Sequence, residues 1–210
     1  MSVNIQVDSI TIAGTPTNST DGATKNYVDT AVGGIVVPPN PLIYTQTARA
    51  TVSANSGGGT GTIIGSGVGS LVIPANTLAV GRTIRIKGIT ICDTTSSGPN
   101  CNIIVKLNST TFCATGNLAF TAGTACTAIN GLFEASIMFS VIGSSGIAEG
   151  GGLYIVGQVG QLTTPQVMSL GQSASGINTT VNQTIDIRAT WASGTAGNDI
   201  AFSHLEIYVE

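Results

Sequence analysis

The sequence predicts an all-β protein of the sandwich or jelly-roll type. Three segments alternate cleanly between apolar and other residues, namely Ile103 to Leu107, Phe133 to Val141 and Ile185 to Trp191. A period of two places successive side chains on opposite faces of a strand. Eight or more short strands with turn signals between them, and a single helix signal, are typical of two packed antiparallel sheets.

The composition favours a protein that hides much of its surface in an assembly. Charged residues are 8% of the 210 residues, against about 25% in a typical soluble domain. The mean hydropathy is +0.37, yet no run of about 20 apolar residues predicts a membrane span. The net charge of −3 gives no basic patch. We therefore expect neither nucleic-acid binding nor membrane insertion.

Residues 1–20 do not resemble a secretory signal peptide, because Met1 to Ile12 has neither a cationic start nor an apolar block. Val3, Ile5 and Val7 alternate as in a strand. We expect an extended segment that attaches the chain to a larger assembly. An unstructured leader is the alternative.

Residues 21–34 carry the helix signal. Asp21 can cap the amino terminus, and the glycine pair at 33–34 ends the helix. Its apolar stripe consists of Ala23, Tyr27, Val28 and Ala31. A helix of roughly a dozen residues is marginal alone in water, so we expect the stripe to pack against identical copies. The alternative is a helix packed on its own domain.

Residues 35–41 read as a stiff proline-rich linker, and residues 42–210 as the β domain. We expect a first strand from Leu42 to Val52 and a flexible loop at Gly57 to Gly59. A long strand follows from Thr83 to Ile91. Apolar residues change face within it, which predicts a β-bulge at Gly88. The last strand changes face near His204.

Three strings in this order resemble parts of viral fibre proteins. They are A-T-K-N-Y-V-D at 23–29, S-L-V-I-P-A-N-T-L-A-V-G-R-T-I-R-I-K-G at 70–88, and the closing segment 184–210. The first is similar to a short helical element of phage and large-DNA-virus fibres. The other two look like the first and last parts of a tumour-necrosis-factor-like jelly-roll head. The resemblance implies a homotrimer whose heads surround an axis continuous with the helix.

The function implied is attachment of a virion to a host surface molecule, a glycan or a protein. The chain would be made in the host cytoplasm and end on the virion surface, with its amino terminus on a capsid or tail protein. A purely structural capsid decoration or fibre joint is the main alternative. A secreted complement-like or cytokine-like trimer is a third, which the missing signal peptide disfavours.

Receptor contacts are expected in four polar loops, at Asp93–Asn100, Gly143–Gly152, Gly171–Asn178 and Ser193–Asp199. The candidate residues in them are Asp93, Asn100, Ser144, Glu149, Ser173, Asn178, Ser193, Asn198 and Asp199. Trp191 could serve as a sugar platform, but its place in the alternation favours the core.

Enzymatic, cofactor and metal sites are not predicted. His204 is the only histidine, no nucleophile elbow is present, and the carboxylates are scattered. Asp93 and Asp199 offer only a weak calcium signal. The chain has no C-x-x-C pair, so no cofactor or metal is expected.

The four cysteines allow two disulfides in three pairings. Cys92 with Cys101 and Cys113 with Cys126 is the preferred pairing, because each pair brackets a predicted loop. Buried thiols are the alternative, since free cysteine behaves as a small apolar residue.

Overall fold

Fifteen strands make up the described chain in this computed structural model, which describes residues 42–54, 58–95, 99–120, 125–156, 166–167, 172–193 and 196–210. They are β1 (Leu42–Gln46), β2 (Val52–Ser53), β3 (Gly59–Thr62), β4 (Gly67–Gly69), β5 (Val72–Ile73), β6 (Thr83–Thr94), β7 (Asn100–Leu107), β8 (Thr110–Ala114), β9 (Leu118–Ala119), β10 (Cys126–Val141), β11 (Gly146–Val156), β12 (Gln166–Val167), β13 (Gln172–Ile177), β14 (Gln183–Ser193) and β15 (Asp199–Val209). The described residues contain no helix, and hence none that could cross a bilayer.

The predicted attachment segment 1–20, the helix with Ala23, Tyr27, Val28 and Ala31, and the linker 35–41 lie outside the described residues.

The strands form two antiparallel sheets. The nine-stranded sheet has the order β12-β11-β10-β6-β15-β1-β4, with β13 beside β11 and β2 beside β15. The six-stranded sheet has the order β3-β14-β7-β8, with β5 beside β14 and β9 beside β7. Alternate residues of both sheets are buried in one shared apolar core, so the prediction of an all-β sandwich is confirmed.

The core is built from the segments with the clearest alternation. Ile103, Val105 and Leu107 of β7 are buried, as are Phe133 and its alternate neighbours along β10. Trp191 is buried as its alternation predicted, and its Nε1 donates to the carbonyl of Val52 at 3.0 Å. The indole is therefore part of the core, which rules it out as an exposed sugar platform.

The bulge predicted at Gly88 is wrong. Burial alternates along β6 without interruption from Thr83 to Thr94, and the pairing with β10 is continuous past Gly88. Ile89 faces outward because this alternation is unbroken, and β6 therefore carries apolar residues on both of its faces. The irregularity lies in the neighbouring strand, where the register shifts between Phe202 and His204, so the change of face predicted near His204 is confirmed.

The predicted strand from Leu42 to Val52 is two strands. β1 ends at Gln46, whose buried amide accepts from the N–H of Gly65 at 2.9 Å and donates to the carbonyl of Phe202 at 2.8 Å. The N–H groups of Thr47 and Ala48 then both donate to the carbonyl of Ser66. These bonds turn the chain before it returns to the sheet as β2. The predicted loop at Gly57–Gly59 also ends early, because Gly59 begins β3.

We predict that Gly88→Ala destabilises the domain while Gly151→Ala leaves it unchanged. A Cβ at Gly88 would lie 2.8 Å from the carbonyl oxygen of His204 and from the ring of Phe202, whereas a Cβ at Gly151 meets nothing within 4 Å. Overpacking of this kind costs about 1–3 kcal/mol. Urea unfolding of both variants beside the unchanged chain measures the difference. Equal stability of the two variants would contradict this packing.

Candidate functional site

The sandwich has two ends, which we call the base and the tip. The base is the end where β1 begins at Leu42, and its turns cover residues 71–82, 108–109, 142–145 and 178–184. The tip is the opposite end, where β6 ends at Thr94 and β15 begins at Asp199. Antiparallel register fixes this division, because Thr83 and Glu210 pair at the base and Asp93 and Asp199 pair at the tip.

The predicted receptor residues divide between the two ends. Asp93, Asn100, Ser193, Asn198 and Asp199 lie at the tip, whereas Ser144 and Asn178 lie at the base. Glu149 and Ser173 are paired in register across β11 and β13. The predicted loops 143–152 and 171–178 are mostly strand, because β11 begins at Gly146 and β13 spans Gln172–Ile177. The four predicted loops therefore do not lie together at one end of the sandwich.

Asn198 is a structural residue of the tip. It is fully buried, and its Oδ1 accepts from the N–H of Thr95 at 2.6 Å and from the Thr95 hydroxyl at 3.1 Å. Its carbonyl accepts from the N–H of Ala54 at 2.7 Å. Through its side chain and its backbone carbonyl, Asn198 thus joins three segments of the tip, and a ligand could not reach its side chain without breaking the bonds to Thr95.

Two carboxylates face each other at the tip. Asp93 and Asp199 are directly opposite in the register of β6 and β15, so their side chains share a face. Oδ1 of Asp93 accepts from the N–H of Ala128 at 2.7 Å, which holds a bulge of β10 where Ala128 has a φ of 56°. Among the described residues, no group of three or more His, Cys, Asp or Glu side chains is placed to hold a metal ion.

Two buried polar residues hold the turns of the base together. The backbone N–H of Thr179 donates to the carbonyl of Gly143, while its hydroxyl accepts from the N–H of Gly143, both at 2.8 Å. The amide of Gln183 donates to the carbonyl of Asn178 at 2.7 Å and accepts from the side-chain N–H of Asn108 at 2.8 Å. Such bonds fix turns that would otherwise fluctuate.

The base displays apolar side chains on this rigid frame. Val80 is 62% exposed and Val181 is 48% exposed, and Ile142 in another turn of the base is also exposed. Within the base turns at 71–82, 108–109, 142–145 and 178–184, Arg82 is the one charged residue. The base therefore displays apolar side chains next to the charged residues Arg82 and Glu210, whereas the tip carries two carboxylates that face each other.

A depression of about 300 Å³ lies on the outer face of the nine-stranded sheet. It is lined by Arg85, Glu134, Ala135, Ser136, Gly151, Gly152 and Leu153. Arg85 forms an ion pair with Glu210, in which Nη2 lies 3.3 Å from Oε2. The lining contains no histidine or cysteine, so a nucleophile with an adjacent imidazole base is not assembled there.

The predicted disulfides are not formed. Cys92, Cys101 and Cys113 are free thiols, and all four cysteines are buried. Burial raises the pKa of Cys92 well above its ordinary value, with a further contribution from the nearby Cys101. Burial likewise raises the pKa of Cys101 to about 12 and that of Cys113 to about 11. These thiols pack as small apolar side chains and are poor nucleophiles at neutral pH.

His204 is exposed on the outer face of β15, with Nε2 3.5 Å from Oε1 of Glu206. Glu206 also accepts from the hydroxyl of Tyr208. This hydrogen bond, followed by burial, raises the pKa of Tyr208. The three side chains form a surface polar group without a nucleophile to activate.

Comparison of the chain with protein-family models, with curated proteins and with solved structures finds no match.

We predict that alkaline pH destabilises the domain through its buried thiols. The pKa of Cys101 is about 12 in the folded state against an ordinary value of 9.0. Between these values the unfolded chain releases the proton and the folded chain keeps it, so stability is full below pH 9 and falls as pH rises. Each such thiol contributes about 1.4 kcal/mol per pH unit in this window.

Cys101→Ala should therefore lose stability more slowly with rising pH than the unchanged chain. The free energy of unfolding in urea, measured from pH 7 to pH 11, gives the slopes. Val105→Ala is the matched control, because it leaves a cavity in the same strand without removing a titrating group. Identical slopes for Cys101→Ala and the unchanged chain would contradict the assignment.

We predict that Asp199→Asn stabilises the domain at pH 7 and low salt, by about 0.2–1 kcal/mol, because like charges directly opposite each other in a sheet repel. The matched control is Asp186→Asn, since Asp186 lies opposite Lys106 and 3.6 Å from the guanidinium of Arg188. That change should not stabilise. Urea unfolding at low and high salt checks both, and salt should shrink the gain. A loss of stability in Asp199→Asn would refute the repulsion.

Proposed function

We propose that this chain is a homotrimeric fibre or spike protein of a virus surface, made in the host cytoplasm, which attaches the particle to a host. In this proposal residues 1–20 bind a capsid or tail protein. The helix at 21–34 joins three copies through its apolar stripe. Residues 42–210 form a jelly-roll head that binds a host surface glycan or protein.

The strand order supports a jelly roll. Two layers of four strands each contain β1, β3, β6, β7, β8, β10, β14 and β15, and β11 extends the first layer beyond β10. Counted from one to eight in that order, they run 1-8-3-6 in the first sheet and 2-7-4-5 in the second. This order is that of two interleaved Greek keys, the connectivity of a jelly roll.

The difference between the two ends carries the functional proposal. The first described strand begins at the base, at Leu42, and the turns of the base are held by buried hydrogen bonds and display exposed apolar side chains. The tip carries the carboxylates Asp93 and Asp199 together with the turn at residues 196–198. A head held at its base presents its tip outward. Three tips on one axis gain avidity from contacts that are individually weak.

The proposed receptor class is a glycan because the tip offers polar groups on a fixed frame. Asn198 holds the tip segments in place, and the exposed turn at residues 196–197 lies beside it. Carboxylates accept hydrogen bonds from sugar hydroxyls. A preorganised polar surface of this kind binds with little loss of entropy.

Ala196→Arg and Ser144→Arg form a matched pair that tests this proposal. Both replace a small exposed turn residue, one at the tip and one at the base. With the full chain on a glycan array and on host-type cells, Ala196→Arg should weaken binding by roughly tenfold, or about 1.4 kcal/mol, while Ser144→Arg keeps it.

Equal binding by both variants would remove the tip from the receptor site. If the unchanged chain, trimeric in solution, binds neither glycans nor cells, the adhesion proposal fails. A structural role as a capsid decoration or fibre joint then replaces it.

A further inference from the structure

The depression on the outer face of the nine-stranded sheet lies over a glycine that the fold itself does not require. A Cβ at Gly150 would lie 2.6 Å from the Cβ of Phe112, and a Cβ at Gly152 would lie 2.8 Å from the carbonyl oxygen of Glu134. Contacts within the domain thus explain both neighbours, whereas a Cβ at Gly151 meets nothing within 4 Å. A glycine inside a strand often marks a place where a ligand or another backbone approaches closely.

The missing side chain opens the depression. Ser136 is opposite Gly151 in the pairing of β10 with β11, and Arg85 is opposite Ser136 in the pairing of β6 with β10. Along this outward row the side chain is long, then short, then absent. In the next row Glu134 is opposite Leu153. The volume of about 300 Å³ that they line is at the lower end of small-molecule sites, about 300–1,000 Å³.

The lining offers polar groups that the domain does not use. Arg85 contacts Glu210 through Nη2 alone, so within the described chain its other two nitrogens have no acceptor. A guanidinium with free N–H groups can bind a carboxylate through two parallel hydrogen bonds. The hydroxyl of Ser136 and the carboxylate of Glu134 also form no hydrogen bond within that part of the chain. Leu153 adds an apolar wall.

These groups match a sugar that carries a carboxylate. Its carboxylate would bind Arg85, while its hydroxyl groups would donate to Glu134 and to the hydroxyl oxygen of Ser136. The C–H face of the ring would pack on Leu153. Lys87 is opposite Glu134 in the pairing of β6 with β10, so its ammonium balances that carboxylate beside an anionic ligand. A neutral sugar would leave the guanidinium unused.

We propose that this depression binds a sugar acid. Arg85 holds the carboxylate, Ser136 and Glu134 hold hydroxyl groups, and the absence of a side chain at Gly151 admits the ring. The inference goes beyond the proposed function, because it assigns a second ligand site, on a face of the sheet and away from the tip.

Saturation-transfer NMR titrations of the full chain test the proposal with two matched pairs of sugars. The pairs are glucuronate with glucose and galacturonate with galactose, which differ only by a carboxylate in place of a CH₂OH group. At least one acid should bind, and its neutral counterpart should bind at least tenfold more weakly. Arg85→Gln should weaken binding of the acid at least tenfold. Arg85→Lys should weaken it less, because lysine keeps the charge but not the planar pair of donors.

Gly151→Leu fills the depression and should abolish binding of the acid. Ser173→Leu is the matched control and should keep it. Ser173 is also small, and it is opposite Glu149 on the same face but outside the lining. Circular dichroism checks that each variant is folded, which the open space in front of Gly151 favours.

The opposite results overturn the proposal. They are that neither acid binds the unchanged chain, that acids and neutral sugars bind equally, or that Arg85→Gln and Gly151→Leu bind as the unchanged chain does. If no acid binds and Gly151→Leu changes the mass of the chain in light scattering, a second copy occupies the depression instead of a sugar. None of these results concerns the tip, which Ala196→Arg tests separately.

Discussion

The pairing of β6 with β10 on one side and β15 on the other is the constraint on which the rest of the structure depends. It fixes which side chains of β6 face inward, from Ile84 to Cys92, and which face outward, from Arg85 to Asp93. A slip of one residue would exchange the two sets. The core, the carboxylate pair at the tip and the exposed apolar residues Ile89 and Leu132 on the outer face are therefore set by one register.

Buried polar groups then fix the two ends relative to this sheet. Thr90, on the inner face of β6, shares a hydrogen bond of 2.9 Å with the hydroxyl of Tyr154, so the core holds a polar pair without an unsatisfied atom. Asn198 at the tip and Gln183 at the base are likewise buried polar side chains that form hydrogen bonds. Asn198 accepts from the backbone of Thr95, while Gln183 donates to the turn at 178–182 and accepts from Asn108, so loss of either side chain would leave polar groups of these turns unpaired.

The sequence predicts the core better than the surface for a physical reason. Burial selects apolar residues at every second position, so Val105, Phe133 and Trp191 are recognisable from alternation alone. Alternation alone gives the wrong answer at Ile89. An apolar residue at an outward position of β6 resembles the change of face that a β-bulge would produce. Gly146 to Gly152 looked like a loop because glycine is a turn signal. In the sheet, Gly150 is buried against Phe112, a contact that no local pattern reveals.

The errors at the candidate site have a common origin in long-range geometry. Ser144 and Asp199 are both in polar segments, yet the register places them at opposite ends. The cysteines bracket loops in the sequence, but their strands bury them as thiols. The composition alone, with 8% charged residues and a mean hydropathy of +0.37, does predict that apolar side chains remain on the surface. Ile89, an apolar residue that faces outward, is one of these exposed side chains. The nine-stranded sheet buries its inner face in the core and carries exposed apolar side chains on its outer face. Because the two faces share strands but not side chains, a change on one can leave the other intact.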